Sequence, residues 1–344
     1  MRKKYFLAIF LVVFTMMLSS FAFYTYQILY TPNVLVEDDD RYFAIPKGTT
    51  FKQLQDKLAK ERIVNDLVSF SFLAKLKDLD TNVKNGMYLI KANMTNLELI
   101  NLLRSGSQTP IALTFSNARL LKQLPKILTQ NIEIDSADLA PILLSDTTAE
   151  YYGFTNETFI SMFIPNTYEV YWTITPKGLL DRMKLEYERF WTEERKQKAE
   201  SLGMSQTEIS TLASIVQGET NKMDEAPSIA GVYINRIKRG IPLQADPTLV
   251  FAIGDFSIRR ILNKDKEFES PYNTYKYQGL PPGPINMPGI PALNAVLNYE
   301  DHNYLYFCAK ADFSGYHVFA RTLREHNVNA RKFQRALNQE RIYR

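Results

Sequence analysis

Residues 205–222 read SQTEISTLASIVQGETNK, and how that stretch folds decides where the chemistry sits. Ser205 with Glu208 three positions on is a capping box, the signature of a helix start. Ile209, Leu212 and Val216 then recur at spacings of three and four, the stripe of a helix that faces a core. Glu219 follows Val216 by three and Leu212 by seven, so a carboxylate continues an apolar stripe. Burial disfavours the charged form of an acid, and a carboxyl kept neutral near pH 7 can donate its proton to a leaving group. Gln217, two residues back, points to another face and offers no second acid. The bland alternative is a helix end that swings Glu219 into solvent, which Gly218 would ease by weakening the last turn.

The rest of the chain bounds what such an acid could serve. Its 344 residues allow two or three domains, and 45% apolar with 23% charged residues is the balance of a folded protein. Forty-one lysines and arginines against 37 acids leave a net charge of +4, and three of the basic residues are Arg2, Lys3 and Lys4. The body is therefore near neutral, which argues against nucleic acid as a partner. Cys308 is the one cysteine and excludes an intramolecular disulfide. Three histidines without HExxH or CxxC spacing make a zinc site an unsuitable reading.

The N-terminus, MRKKYFLAIFLVVFTMMLSSFAFYTYQILY, is basic and then uncharged from Tyr5 to Tyr30. Tyr5 to Phe23 would span about 28 Å as a helix, close to the ~30 Å hydrocarbon core of a bilayer. Basic residues before the run and the acidic Glu37 to Asp40 after it place the N-terminus in the cytoplasm and the body outside. Ser20-Phe21-Ala22 also fits the cleavage site of a removed signal peptide, although the run is longer than a usual signal core. No cysteine lies nearby to carry a lipid.

Beyond the anchor, Tyr42 to Ile45 reads as a strand, Pro46 and Gly48 as a turn, and Thr50 as the cap of a helix with Phe51, Leu54 and Leu58. Met87 to Ile90 and the helix carrying Leu97, Ile100, Leu102 and Leu103, closed by Gly106, repeat that plan. Residues 111–203 read as mostly helical, interrupted by MFIPNTYEVYWTITP (Met162 to Pro176). DEAPSIAGVYINRIKRG gives a second helix after the first, with Asp224 or Glu225 at its start and Pro227 in its first turn. IPLQADPTLVFAIG reads as a loop. The proline- and glycine-rich segment from Ser270 ends in a short helix at Pro291, and YLYFCA with YHVFA forms a hairpin before a terminal helix.

ASIVQGET, VYINRIKRGIPLQADPT, SPYNTYKYQGLPPGPINMPG, YLYFCAK and YHVFARTLREHN occur in the order and spacing of one family. The chain resembles the YceG-like family of membrane-anchored endolytic murein transglycosylases, densely from Ala213 to Asn327 and more loosely before. The resemblance implies an α+β fold with a single N-terminal transmembrane helix, a small LysM-like α+β subdomain and a larger mixed α/β catalytic domain. The corresponding ranges are a cytoplasmic tail 1–4, transmembrane anchor 5–30, linker 31–42, LysM-like subdomain 43–110 and catalytic domain 111–344, whose part 111–203 is a helical connecting region.

In that family the helix usually reads Glu-x-Glu, and the second, catalytic acid falls on Glu219. Gln217 stands in the first acid's place, and Gly218 where the family often has lysine. The resemblance further implies that Gln244, Asp246, Thr248, Asn273, Tyr275, Glu325, His326 and Asn327 line the cleft. On the residues alone, Asn273 and Asn327 could equally satisfy loop backbone, Asp246 could cap a turn, and His317 could be a packed strand histidine. The implied partners are peptidoglycan glycan strands, the cytoplasmic membrane and the synthases that build the wall; no cofactor is implied. The implied reaction uses the sugar's own 6-hydroxyl as nucleophile, which suits a lone acid, whereas ordinary glycosidases need two carboxylates. A lysozyme-like hydrolase with Asp246 as second acid and a tethered wall-binding scaffold are the rival expectations. A serine hydrolase lacks its GxSxG signature.

Overall fold

The computed structural model describes residues 2–34, 40–258 and 260–340. Most of the acidic run Glu37 to Asp40, part of the expected linker, lies outside the described residues, as do Met1 and the last four residues. The fold is α+β, as the sequence implies. The chain divides into two compact units, Met1–Leu113 with Asn131–Glu133 and Glu169–Ile174, and Thr114–Gln130 with Ile134–Tyr168 and Thr175–Arg344.

The first unit begins with α1 (Arg2–Tyr30), an apolar helix long enough to cross a membrane. It continues with β1 (Arg41–Ile45), α2 (Phe51–Lys60), α3 (Leu67–Leu76), β2 (Gly86–Ile90) and α4 (Asn96–Ser105). Local chemistry sets these boundaries. Thr50 and Thr95 close capping boxes on Gln53 and Glu98, Asp66 caps α3, and Gly106 ends α4 in the left-handed region at φ 73°. β1 and β2 pair antiparallel with Phe43 opposite Tyr88, both fully buried. Leu54, Leu58, Phe70, Leu73, Leu99 and Leu103 pack around them.

Residues 31–34, expected to open a linker, are instead part of this unit. Pro32 bridges to Thr95 and Val34 to Val64. The buried Asn33 side chain bonds both backbone groups of Asp66 and the Asn96 side chain.

In the second part of the chain β3 (Ile111–Phe115) and β4 (Asn166–Val170) are hydrogen-bonded neighbours, so the aromatic interruption around Tyr168 contains a strand rather than irregular chain. The alternation that places Tyr168 and Val170 inward with Thr167 and Glu169 outward is the strand signal the prolines obscured. Five helices follow the expectation of a helical middle: α5 (Leu124–Leu128), α6 (Ser136–Leu143), α7 (Asp146–Tyr151), α8 (Pro176–Phe190) and α9 (Glu193–Ser201). Next come α10 (Gln206–Glu219), α11 (Ala226–Lys238), α12 (Asp246–Ile253) and α13 (Ile290–Leu297), then the hairpin β5 (Tyr306–Ala309) and β6 (His317–Ala320), and α14 (Leu323–Gln339).

α10 is the centre of this unit. Every residue from Ile209 to Val216 is buried, because α9, α11, α12 and α13 all pack against it. Its environment is therefore wider than the one stripe the periodicity defines. α12 corrects the loop expected there: Pro247 occupies the first turn and Gly254 closes the helix in the left-handed region, both ordinary helix-end signals.

Candidate active site

α10 delivers Glu219 to the site as its last residue. Its start is fixed by Ser205, whose hydroxyl accepts from Glu208 N at 3.2 Å while the Glu208 carboxylate accepts from Ser205 N at 2.8 Å. Its far end is stitched to the irregular segment before α13. Ser214 Oγ accepts from Ile285 N (3.0 Å), and Ser214 O accepts from Asn286 Nδ2 (2.9 Å). Gln217 then uses its whole amide: Nε2 donates to Asn286 Oδ1 (2.9 Å) and Met287 O (3.2 Å), and Oε1 accepts from Gly289 N (2.8 Å). A carboxylate in that place would have no proton for either acceptor. Gln217 is thus a loop anchor, its amide fully committed to the 286–289 segment while it shares the wall of a cleft with Glu219.

Gly218 is needed for a close approach. A Cβ there would lie 2.8 Å from Pro247 Cβ, so the first turn of α12 rests directly on the last turn of α10. That contact brings Asp246 beside Glu219. The alternative in which Gly218 loosens the turn and frees Glu219 does not hold: the glycine lets the two helices meet.

Glu219 is half-buried, with an edge open to solvent. The buried Tyr233 of α11 donates its hydroxyl to Glu219 Oε1 at 2.6 Å. Removal from water raises the acid from 4.5 to about 7, against the lowering effect of the Tyr233 bond and with a smaller push from the Asp246 charge. Burial together with the neighbouring Glu219 raises the Tyr233 phenol as well, so it remains a donor.

Two clefts share Glu219 and Asp246 in their walls. One, of about 480 Å³, is lined also by Arg119, Asn221, Phe251, Phe256 and Arg260, with the Arg119 guanidinium 4.7 Å above the Phe256 ring. The other, of about 390 Å³, is lined by Arg236, Gln244, Tyr275, Tyr306, His317 and His326. Such walls, aromatic faces set among polar groups, suit a sugar chain. The Tyr275 hydroxyl donates to Asp246. Arg236 is buried and held by Pro242 O and Leu305 O, and its third contact, to Gln244 Oε1 at 2.6 Å, fixes a residue whose backbone sits at φ 53°. His326 packs on Tyr306, and burial lowers its pKa.

The expected cleft residues divide. Gln244, Asp246, Tyr275 and His326 line the second cleft with Glu219. Thr248 and Asn273 do not: both are fully buried behind the wall. Thr248 Oγ1 donates to Ala245 O and shares a bond with Thr274, and Asn273 ties Lys266 O, Phe268 O and Tyr275 N together. Glu325 is the capping acid of α14, accepting from Arg321 N and Thr322 N, and Asn327 is exposed on the same helix; neither lines either of these two clefts.

Sequence reasoning missed the part played by two residues, Tyr233 and Glu225. Tyr233 looked like any core aromatic on an amphipathic helix, although a buried phenol needs a partner. Glu225 stands at the start of α11 but makes no cap. Its buried carboxylate accepts from Thr220 Oγ1 (2.7 Å), His317 N (2.9 Å) and His317 Nδ1 (2.7 Å). That arrangement orients the His317 ring at the cleft wall, where the sequence had offered a packed histidine.

The sequence profile of the YceG-like family matches residues 43–332, most of the chain. The chain belongs to the YceG-like family. Among relatives, a Bacillus subtilis protein named endolytic murein transglycosylase is 27% identical over 311 residues, covering 86% of this chain and 85% of its own length. A Streptococcus pneumoniae protein of the same name is 26% identical; the alignment covers 92% of this chain but 63% of that longer protein. The crystal structure of a YceG-like protein from Listeria monocytogenes superposes with a TM-score of 0.55 at 26% identity, covering 85% of this chain and 99% of that one. Family membership thus extends over both the first unit's module and the second unit's clefts.

Proposed function

We propose that this chain is an endolytic murein transglycosylase that cuts the β-1,4 bond between N-acetylmuramic acid and N-acetylglucosamine. The observation that carries the reading is the Glu219 carboxyl, set where two clefts meet and raised by burial to about 7. The names of the Bacillus and Streptococcus relatives support the same activity.

Tyr233 occupies Oε1, so Oε2 carries the transferable proton. As the bond from the muramoyl C1 to the glycosidic oxygen breaks, that proton passes to the departing oxygen. The resulting carboxylate, stabilised by the Tyr233 hydroxyl, takes the proton of the muramoyl 6-hydroxyl. O6 then closes on C1 and leaves a 1,6-anhydro end. No water is consumed, and Glu219 finishes as it began. Clefts on both sides of the acid let a strand continue in each direction, which supports cutting within strands. α1 would anchor the enzyme in the cytoplasmic membrane, N-terminus inside, so that the clefts act on newly made strands outside and end their elongation alongside the synthases.

Asp246 sustains one rival, since it shares both clefts with Glu219 and could serve a hydrolase. Digestion of purified glycan by the full chain separates the readings. The proposal expects 1,6-anhydro ends by mass spectrometry; reducing ends, heavier by one water per cut, would make it a hydrolase, and no soluble fragments a scaffold. Glu219→Gln should lower turnover by about 10²–10⁴.

A further inference from the structure

α3 is apolar on two sides. Its inner face, Phe70, Leu73 and Ala74, fills the core of the first unit. Its outer face carries Val68, Phe72 and Leu76 in steps of four, 75%, 56% and 64% exposed. A helix apolar all round is ordinarily covered all round, and a contiguous exposed apolar row marks an interaction surface.

The neighbouring element says what covers it. α1 enters the module without a flexible joint: Ile28 and Leu29 pack in the same core as Phe70 and Leu73. Asn96 of α4 links the two helices, its amide donating to Ile28 O and to Ser69 Oγ, each at 3.1 Å. Val68 is therefore one residue from a group tied to the end of α1. The bridges at Pro32 and Val34 fasten the segment beyond.

Depth follows from length. Lys3–Tyr30 is 28 residues, which at 1.5 Å each is about 42 Å, roughly 12 Å more than the hydrocarbon core. With the basic residues at one headgroup layer, the surplus falls at the other end. There Tyr24, Tyr26 and Tyr30 are all more than half exposed, as in the aromatic belt of a membrane interface. Ile28 then lies at headgroup depth, and the start of α3 with it.

We propose that the outer face of α3 is a second membrane contact, lying on the outer surface of the bilayer that α1 spans. Val68, Phe72 and Leu76 sit at the headgroup–acyl boundary, and Lys75, on the same face, reaches the phosphates. The contact fixes how the module is oriented on the membrane. It rests on reading α1 as an anchor.

The test uses the full chain in phosphatidylglycerol–phosphatidylcholine nanodiscs, with Cys308→Ser and one new cysteine carrying an environment-sensitive fluorophore. Phe72→Cys is the probe, Leu76→Cys its duplicate, and Phe14→Cys, in the middle of α1, the reference. Nitroxide lipids labelled near the headgroup should quench Phe72→Cys and Leu76→Cys more than chain-end nitroxides do, with the order reversed at Phe14→Cys. Quenching at Phe14→Cys alone overturns the proposal and leaves the anchor standing. A blue-shifted but unquenched signal at α3 also overturns it, since a protein surface would then be the cover. Loss of quenching at all three positions removes the anchor reading, and the proposal with it.

Discussion

Replacing Tyr233 by Phe removes one hydroxyl and keeps the ring that packs edge-on against Phe307, with centroids 5.8 Å apart. The bond lost is the 2.6 Å donation to Glu219 Oε1. It favours the ionised carboxylate, and hydrogen bonds to charged groups are worth about 1.5–3 kcal/mol. At about 1.4 kcal/mol per pH unit, its loss should carry Glu219 from about 7 upward by about 1–2 units. The bond-breaking step needs Glu219 protonated, so rate falls as pH rises through that value. In Tyr233→Phe the alkaline limb of the pH–rate profile should therefore move to higher pH by the same amount. The plateau should drop, because the carboxylate formed after proton donation has lost its stabilising donor. Release of soluble fragments from purified glycan, followed from roughly pH 5 to 9, reads both effects. An alkaline limb that stays in place or moves to lower pH would refute the reasoning.

Further outcomes follow from the same geometry. Because folding raises Glu219 above its ordinary 4.5, the folded state holds the proton more tightly; stability is full below that value and declines as pH climbs to about 7. The loss is at most about 3 kcal/mol, reduced by the open edge of the residue. Glu219→Gln should thus melt above the wild type at about pH 8 and no higher at about pH 4; a pH-independent difference in thermal melts would contradict this. Gln217→Glu replaces the donor to Asn286 Oδ1 and Met287 O by an acceptor, and should cost about 1–3 kcal/mol at neutral pH and less in acid. Unchanged denaturant midpoints at both pH values would deny the anchor role. Gly218→Ala drives a methyl into Pro247 and should cost about 1–3 kcal/mol by urea unfolding; wild-type stability would show that α12 can move aside.

Much of this was legible in the sequence because it is local. The Ser205–Glu208 box, the stripe ending in Glu219 and the hairpin of β5 and β6 are written in spacings of two, three and four. The module's two strands and its capped helices carry the same short-range signals. What escaped is long-range. Nothing near Tyr233 says that its hydroxyl meets a residue 14 positions earlier, and nothing near Glu225 announces His317, 92 positions later. Asp246-Pro247 read as a turn because that pair favours turns, yet the same proline suits a first helical turn; only the packing of α12 on Gly218 decides between them. Thr248 and Asn273 sat inside family motifs, but motifs conserve a wall together with the surface it supports. Gln217 looked like a lost acid until its amide was seen holding the 286–289 turn.

The most direct measurement is the titration of Glu219 itself. The full chain, labelled with ¹³C at glutamate side-chain carboxyls, would be followed by NMR, with the Glu219 signal assigned by its absence in Glu219→Gln. The account predicts a midpoint near 7, the value burial imposes. A midpoint near 4.5, that of a freely hydrated glutamate, would contradict it.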